Sequence, residues 1–329
     1  MIRTVTHPEE VSRPMAIRSL RAVGALSFTT ALVVAGGAVS AQSPSAGTVP
    51  TLSASCAKDQ LPLKNPDRLT LSTDNPAYGP WWWGDTDTQY PNEPEGGDGW
   101  ELGDPYAGEG YEAATNYAVA AALGFAPEEI DWVPNAVFEL AFAPGPKAFD
   151  WHTAQISIRP ERAEAVDFSD PYFDANQSII AMTGSPITQV TTIAGLKDFK
   201  LGAAAFTTSS QLVEDVIAPT AEMQVFNSNA DALQPLQTGT IDGLVVDLQT
   251  AFFMRDAQLE NWDTPDPEAT VVGQFDVSAQ IDQMGMVLEK GSPLTACVDE
   301  ALAIIKADGT LDAIYDQWIS TGQEIPFFQ

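Results

Sequence analysis

Two arginines three residues apart, Arg159 and Arg162, stand out because positive charges are rare in this chain. They lie in SIRPERAEAVDFSDPYF, residues 157–173, in a protein with 15 Lys and Arg against 45 Asp and Glu and a formal net charge of −30. A guanidinium offers two parallel N–H donors that match a carboxylate, and it stays ionised when it is desolvated. The residues alone leave two interpretations of Arg162 open: it binds a ligand's carboxylate, or it forms a structural ion pair with a neighbouring acid.

The composition excludes several classes of function. So acidic a chain repels nucleic acid and anionic membranes instead of releasing their counterions. His7 falls in the N-terminal segment described next, which leaves His152 as the single histidine beyond it. One histidine without a second cysteine pair cannot build a common zinc site, and a Ser-His-Asp triad would depend on that residue entirely. We therefore expect no metal, no cofactor and no catalytic residue.

Residues 1–41 have the features of a signal peptide. Arg18 and Arg21 precede an apolar run at 22–41, which ends in small residues where signal peptidase would cut, near Ala41. Two glycines interrupt the run, so we expect a cleaved export signal and not a membrane anchor. The mature protein would then be periplasmic or extracellular and begin with a flexible leader, 42–56.

Export makes the cysteine count informative. The chain has two cysteines, Cys56 and Cys297, and in an oxidising compartment such a pair most often forms a disulfide. The alternative is a lipid on Cys56, but this residue lies well past the apolar run that a lipoprotein signal would place beside it.

The elements that position these residues alternate between strand and helix. A helix is expected at 110–124, with an apolar stripe through Ala114, Tyr117, Ala118 and Ala121, and a C-terminal helix begins with Ser292 as cap. Such alternation predicts an α/β fold with parallel-type sheets flanked by helices. The predicted strands are 69–73, 130–134, 154–158, 178–182, 200–204, 223–227, 242–247, 270–275 and 284–290.

Several motifs in this order resemble those of the family 3 solute-binding proteins, the polar amino-acid-binding proteins of ABC importers. The most specific is QISIRPERAEAVDFSDPYF, which is similar to a family segment that runs from a Ser-Ile-Thr strand end to Val-Asp-Phe-Ser-x-x-Tyr. The others are STDNPAY (72–78), GYEAATNYAVAAALG (110–124), the Thr pair 207–208, TIDGLVVD (240–247), MGMVLEKGSPL (284–294) and IIKADGTLDAIYDQWI (304–319).

The resemblance implies a two-lobed periplasmic-binding fold of type II with a double-crossing hinge. Lobe 1 would comprise residues 57–183 and 277–329, and lobe 2 residues 184–276. The implied function is capture of an amino acid by hinge closure and its delivery to an ABC importer permease. We expect a monomer whose partners are the amino-acid ligand and the membrane permease.

The resemblance also implies the site. An arginine at the position of Arg162 grips the ligand's α-carboxylate, Ser157 and Thr208 add hydroxyl donors, and Asp247 binds the ammonium group. Thr208 would lie near a helix N-terminus, and Asp247 at a strand end could also cap the next helix. The ligand side chain would meet Asp74, Tyr78 and Phe138, with Asp74 suited to a basic one.

Four positions depart from the family pattern. Gln155 and Phe206 stand in the expected pocket wall where smaller residues are usual. Ser209 stands where glutamine is common, and Arg159 stands where threonine is usual. We therefore expect Arg159 to be a surface residue, paired with a nearby acid. Trp81–83 could supply an aromatic wall, and the acidic segment 84–110 could cover the pocket or lie apart from it.

The alternative function is an enzyme on the same fold, a lyase like cyclohexadienyl or arogenate dehydratase. That chemistry needs a positioned acid or base with a tuned pKa. His152 and several carboxylates are candidates, but none has a recognisable catalytic setting. A sensory ectodomain is a third possibility, but no transmembrane run follows the domain in the sequence.

Overall fold

The structure, a computed structural model, describes residues 49–94, 99–259, 268–276, 282–320 and 323–329. The predicted signal peptide and the first part of the leader, 1–48, lie outside these residues. The described chain forms two five-stranded sheets with helices packed on them, which confirms the predicted α/β class. Within the described ranges, no helix is long and apolar enough to span a membrane.

The first sheet, in lobe 1, has five strands in the order β2-β1-β3-β12-β4. Its centre is a parallel set, in which β1 pairs with β2 on one side and β3 on the other, while β12 is antiparallel to β3 and β4. Five of the six residues of β1 are buried, as expected for a strand covered on both faces. The strands are β1 Leu69–Asp74, β2 Ile130–Asn135, β3 Trp151–His152, β4 Val166–Phe168 and β12 Val287–Glu289.

The helices of lobe 1 are α1 Tyr111–Ala122, α2 Pro160–Ala163, α6 Thr295–Ala307 and α7 Thr310–Trp318. Helix α1 packs against α6 and α7. The predicted stripe on α1 is wrong: its buried face carries Glu112 and Asn116, while Ala121 is exposed. Helix α6 begins at Thr295, because Ser292 makes a turn before it by accepting a hydrogen bond from the Leu294 N–H at 3.3 Å.

The predicted disulfide Cys56–Cys297 is present and confirmed. It joins α6 to a 3-10 turn, Ala54–Cys56, at the end of the leader. The Ser53 N–H also donates to the Glu300 carboxylate at 2.7 Å. The part of the leader next to Cys56 is therefore attached to lobe 1, whereas the prediction was that the whole leader is flexible.

The second sheet, in lobe 2, has the order β10-β6-β9-β7-β8. Here β7 is parallel to β8 and β9, whereas β6 is antiparallel to β9 and β10, so this sheet is mixed like the first. Its strands are β6 Gln177–Met182, β7 Leu201–Ala204, β8 Gln224–Phe226, β9 Gly243–Asp247 and β10 Ala269–Gln274. Its helices are α3 Thr208–Leu212, α4 Leu233–Gln237 and α5 Leu248–Phe253; π-helical turns Val213–Ile217 and Met254–Gln258 extend α3 and α5.

A two-stranded antiparallel ribbon lies where the chain passes between the sheets. It pairs β5 Phe173–Ala175 with β11 Asp282–Met284. Strand β5 leads directly into β6 of the second sheet, and β11 leads back to β12 of the first. The first crossing therefore falls before Gln177 and not at 183/184, because β6 is hydrogen-bonded within the second sheet.

The C-terminal residues lie on lobe 2, although they were predicted to belong to lobe 1. Phe327 forms a bridge to Gln274 of β10, and the Phe328 ring packs on Phe275 with centroids 4.9 Å apart. Residues 325–328 thus lie on lobe 2, since their backbone extends its sheet edge, although the prediction assigned them to lobe 1.

The predicted strand 154–158 does not form. The strand ends at His152, and Gln155 takes a positive φ of 51°, which turns the backbone out of the extended conformation. Beyond it, Ser157 makes one isolated bridge, to Met284. This break places residues 155–157 at the sheet edge that faces the second lobe.

The acidic segment 84–110 packs on lobe 1 through Trp100 and Tyr106, both of which are buried in its core. Residues 95–98 lie outside the described ranges. The remaining short 3-10 turns of the described chain are Lys58–Gln60, Pro105–Ala107, Pro127–Glu129, Phe138–Leu140, Pro186–Gln189, Ile193–Asp198 and Ala230–Ala232.

Candidate ligand-binding site

A cavity of about 420 Å³ lies between the two lobes. Its size falls in the usual range for small-molecule sites. No described residue of the segment 84–110 lines it. All nine predicted site residues line this cavity: Asp74, Tyr78, Phe138, Gln155, Ser157, Arg162, Phe206, Thr208 and Asp247.

Arg162 is held firmly in the cavity wall. It lies in α2, is 8% exposed, and donates from Nη1 to the Ser157 carbonyl at 3.0 Å and from Nη2 to the Phe206 carbonyl, in the other lobe, at 2.7 Å. The guanidinium carbon lies 4.4 Å from the Phe142 ring centroid, a cation–π contact. Burial lowers the pKa of Arg162 to about 10, and the positive charge of Arg159 adds to the effect. The group therefore remains a cation at neutral pH.

Gln155 is fixed from behind by a buried carboxylate. Glu112 of α1 accepts the Gln155 N–H at 2.7 Å, the Gln155 side-chain amide and the Tyr172 hydroxyl. The Trp82 indole N–H donates to the same carboxylate at 2.8 Å. Burial raises the pKa of Glu112 to about 7, while these four donors oppose the rise. These bonds hold Gln155 in the cavity wall at its positive φ of 51°.

Thr208 is the first residue of α3, and its neighbour Thr207 caps the helix by accepting from the Ser210 N–H at 3.1 Å. The Thr208 side chain is 8% exposed and its Oγ1 lies 3.2 Å from Nε2 of Gln177. Three neighbouring hydroxyl residues of this turn, Thr207 to Ser209, line the cavity. The Thr207 hydroxyl donates to the Ala204 carbonyl at 2.7 Å and the Ser209 hydroxyl to Oε1 of Gln177 at 2.6 Å, so the Thr208 hydroxyl is the one of the three that is left to donate to an anion in the cavity.

Asp247 is the last residue of β9, and it caps α5 as predicted. Its Oδ1 accepts from the Thr250 N–H at 2.9 Å. Burial raises the pKa of Asp247. The second oxygen of this half-buried carboxylate can accept from a cationic group in the cavity.

Asp74, at the end of β1, lies at a polar part of the cavity. Its Oδ1 accepts from the Asn135 amide at 2.7 Å, and Nε2 of the fully buried His152 lies 3.5 Å away. His152 is held in turn by Ser72, with 2.9 Å between Nδ1 and Oγ. Tyr78 is largely buried, and burial raises the pKa of its phenol. Because His152 lies behind Asp74 and does not line the cavity, it is a poor candidate for catalysis.

Of the aromatic residues predicted for the pocket, some line the cavity and others pack in the protein core. Phe206, at a positive φ of 61°, is 64% exposed at the rim. Of Trp81–83, only Trp82 lines the cavity. Trp81 is fully buried and donates from its indole to Thr250 of lobe 2 at 3.2 Å, and Trp83 packs edge-on against Phe253 with centroids 5.3 Å apart.

Several lining residues were not predicted. Gln177 begins β6, and the apolar run after it predicts only a core strand. Ser209 departs from the family pattern, which by itself does not predict a place in the cavity wall. Arg159 is paired with an acid as predicted, because it forms an ion pair of 2.6 Å with Asp282. It is not on the surface, however, since its side chain is only 20% exposed. The unpredicted polar residues of the wall include Asn75, Asn135, Gln177, Asn227, Ser228 and Asn229.

The family model of the bacterial extracellular solute-binding proteins, family 3, matches residues 103–321. The ABC transporter glutamine-binding protein GlnH of Bacillus subtilis (strain 168) is 32% identical over 167 residues, which is 50% of this chain and 56% of that protein. The ABC transporter arginine-binding protein 1 of Escherichia coli (strain K12) is 28% identical over 175 residues, 52% of this chain and 67% of that protein. The chain thus matches about half to two thirds of the length of these curated relatives.

Solved structures are similar over a larger share. An ancestral arginine-binding protein bound to arginine has a TM-score of 0.58 and 25% identity, and covers 77% of this chain and 99% of its own. The ancestral amino acid-binding protein AncCDT-1, a precursor of cyclohexadienyl dehydratase, has a TM-score of 0.59 and 26% identity, over 77% of this chain and 96% of its own.

Proposed function

This chain belongs to the bacterial extracellular solute-binding proteins of family 3, and we propose that it captures an amino acid between its lobes and delivers it to the membrane permease of an ABC importer. The observation that carries the proposal is one cavity with a buried cation, Arg162, in lobe 1 and a carboxylate, Asp247, in lobe 2. An α-amino acid carries one carboxylate and one ammonium group. The two charged walls are complementary to that zwitterion.

Arg162 binds the α-carboxylate in this proposal. Two of its five N–H donors are used by carbonyls in the structure, which leaves three for a ligand. Ser157 and Thr208 add hydroxyl donors, and Asp247 accepts from the ammonium group. Each hydrogen bond to a charged group is worth about 1.5–3 kcal/mol, so the head group alone can supply most of a micromolar affinity.

Hinge closure is supported by contacts that join the lobes at two places. Arg162 donates to the Phe206 carbonyl, and Trp81 donates to Thr250. The ribbon of β5 and β11 provides two crossing strands about which the lobes can rotate. A ligand favours the closed form because it bonds both lobes at once only in that form.

The ligand we propose is a polar amino acid, and Asp74 favours one with a basic side chain. The Asp74 carboxylate lines the cavity beside Asn135, whose amide donates to its Oδ1 at 2.7 Å, and its oxygens can accept from a cationic group of the ligand. The net charge of −30 also attracts cationic ligands at low ionic strength. Relatives named for glutamine and for arginine binding agree with a polar ligand.

Export, a free monomer and docking on a permease complete the proposal. The predicted signal peptide, 1–41, and the disulfide Cys56–Cys297 agree with an oxidising compartment outside the cytoplasm. Closed, loaded protein would present both lobes to the permease in one fixed arrangement.

A lyase activity remains the second candidate, because one similar structure is described as a precursor of cyclohexadienyl dehydratase. The titratable side chains that line the cavity are Asp74, Tyr78, Glu139, Arg162 and Asp247. Each carboxylate among them needs a nearby substrate proton and a tuned pKa to act as acid or base.

Calorimetry of the mature chain against the twenty amino acids, beside a turnover assay with prephenate and arogenate, separates the two functions. We expect one-to-one binding of a polar amino acid and no product. Product formation without tight amino-acid binding would overturn the capture function.

A further inference from the structure

Arg159 and Asp282 form a partly buried ion pair, and the second carboxylate oxygen of Asp282 is bonded to a residue of the cavity wall. Nη2 of Arg159, in lobe 1, donates to Oδ1 of Asp282 at 2.6 Å. Asp282 is 2% exposed and begins β11 of the ribbon. Its Oδ2 accepts from Nε2 of Gln177 at 2.8 Å. A buried carboxylate needs such partners on both oxygens, and here they come from different lobes.

Gln177 connects this ion pair to the hydroxyl side chains of the cavity wall. It is 4% exposed, is the first residue of β6, and lines the cavity. Its Nε2 also donates to Oγ1 of Thr208 at 3.2 Å, and its Oε1 accepts from Oγ of Ser209 at 2.6 Å. The amide of Gln177 is thus bonded at both ends.

The order of these bonds fixes their polarity. The carboxylate of Asp282, ion-paired with Arg159, can only accept, so the amide group that faces it must be the NH₂. The second hydrogen of that NH₂ points at Thr208, whose oxygen must accept it. The hydroxyl proton of Thr208 then has to point elsewhere, and Thr208 lines the cavity.

We propose that Arg159, Asp282 and Gln177 are a positioning relay that sets the Thr208 hydroxyl as a hydrogen-bond donor to an anionic group of the ligand. The proposal rests on the proposed function, which supplies that anion. It gives Arg159 a role that differs from that of Arg162: its charge holds Asp282 as an acceptor and never meets the ligand.

The relay can be inverted by one substitution, Asp282→Asn. The single oxygen of asparagine stays with Arg159, and its NH₂ turns toward Gln177. The Gln177 amide must then flip, so that its oxygen faces Thr208 and takes the hydroxyl proton. We expect affinity for the best-binding amino acid of the wild type to fall about 10- to 100-fold, the effect of one lost hydrogen bond to a charged group.

Removal of Arg159 from this variant restores the polarity. In Arg159→Met/Asp282→Asn, the asparagine oxygen is free to face Gln177, which can return its NH₂ to Thr208. We expect this double variant to recover most of the lost affinity. A merely structural role of the ion pair predicts the reverse, because the double variant lacks both charges.

The matched control is Asp131→Asn, which breaks an Asp–Arg ion pair of 2.5 Å with Arg68 on lobe 1, away from the cavity. We expect its affinity to equal that of the wild type. If Asp282→Asn does not fold, the cycle of Gln177→Met and Thr208→Val gives the same information. Gln177→Met should weaken binding in the wild type but not in the Thr208→Val background.

Calorimetry of the wild type comes first, because it distinguishes failure of the proposed function from failure of the relay. Absence of any amino-acid binding by the wild type would overturn the proposed function and the relay with it. Binding by the wild type with unchanged affinity in Asp282→Asn, no recovery in the double variant, or additive losses in the cycle would overturn the relay alone.

Discussion

Arg162 and Arg159 are three residues apart, yet they differ in burial and in partner: Arg162 is buried, whereas Arg159 is partly exposed. Arg159 has a carboxylate partner, Asp282, at 2.6 Å. Arg162 bonds two carbonyls, and none of the ion pairs among the described residues involves it. A desolvated cation without an anion is costly to the fold. Such a group is expected where a ligand supplies the missing charge.

The largest effect is expected at Arg162. Truncation of one partner of a buried, hydrogen-bonded charge pair costs about 2–5 kcal/mol, so Arg162→Ala should weaken amino-acid binding about 30- to several-thousand-fold. Because the wild-type guanidinium is desolvated without an anion, the variant's melting temperature should not fall. Calorimetry and thermal unfolding of Arg162→Ala and Arg159→Ala test this contrast; equal loss of affinity in both would refute the assignment.

Two buried carboxylates, Asp282 and Glu112, differ in the same way: of the two, only Asp282 has a partner of opposite charge among the described residues. Asp282 has a cation, whereas Glu112 is held by four neutral donors, and none of the described ion pairs involves it. Since burial raises the pKa of Glu112 from 4.5 to about 7, its contribution to stability is fully present below pH 4.5 and is lost as the pH rises through 7. The groups that face it are Tyr172, Gln155 and Trp82, with Tyr111 beside them.

We therefore expect the free energy of unfolding to decrease by about 3 kcal/mol between these pH values through Glu112 alone. Urea unfolding across this range should show the decrease in the wild type and in Glu128→Gln, an exposed control, but not in Glu112→Gln. An unchanged slope in Glu112→Gln would contradict the account.

Asp74 and Asp247 line the same cavity but bind different parts of the ligand in the proposal: Asp74 contacts its side chain and Asp247 its ammonium group. If Asp74 meets only the side chain, Asp74→Asn should lower affinity for arginine and lysine about 10-fold and leave glutamine nearly unchanged, since one charged hydrogen bond is lost. Asp247→Asn should weaken all amino acids alike. Equal losses for basic and neutral ligands in Asp74→Asn would remove it from side-chain recognition.

The smallest effect is expected where the lobes touch without charge. Trp83 packs on Phe253 across the lobes and does not line the cavity. An aromatic pair contributes about 0.5–1.5 kcal/mol beyond its buried area, so Trp83→Ala should reduce affinity only several-fold by weakening closure. Small-angle scattering should show a larger radius of gyration for ligand-free Trp83→Ala than for the ligand-free wild type. With ligand bound, the two proteins should have the same radius. An unchanged radius in the free variant would show that this contact does not hold the lobes together.

The sequence predicted the parts that depend on local pattern or ordered motifs. Strands such as β1 and β9, the disulfide Cys56–Cys297 and the nine lining residues follow from these. The predicted ligand contacts of those nine residues stay a prediction. Strand 154–158 failed because the turn at Gln155 depends on Glu112, which is distant in sequence.

The relay and the buried face of α1 could not be predicted for a related reason. Gln177, Asp282 and Arg159 are separated by up to 123 residues and meet only through the ribbon that joins the lobes. Glu112 and Asn116 look like solvent-facing residues of α1, yet both are buried because distant donors satisfy them. Periodicity records polarity, but it does not record which polar groups find partners.

The central claim is that Arg162 grips a ligand carboxylate between the lobes. A crystal structure of the mature chain with its best-binding amino acid tests this most directly. The account predicts the α-carboxylate within hydrogen-bond distance of the Arg162 guanidinium and the Thr208 hydroxyl, with the ammonium group on Asp247. A ligand bound outside this cavity, or one whose carboxylate does not contact Arg162, would contradict it.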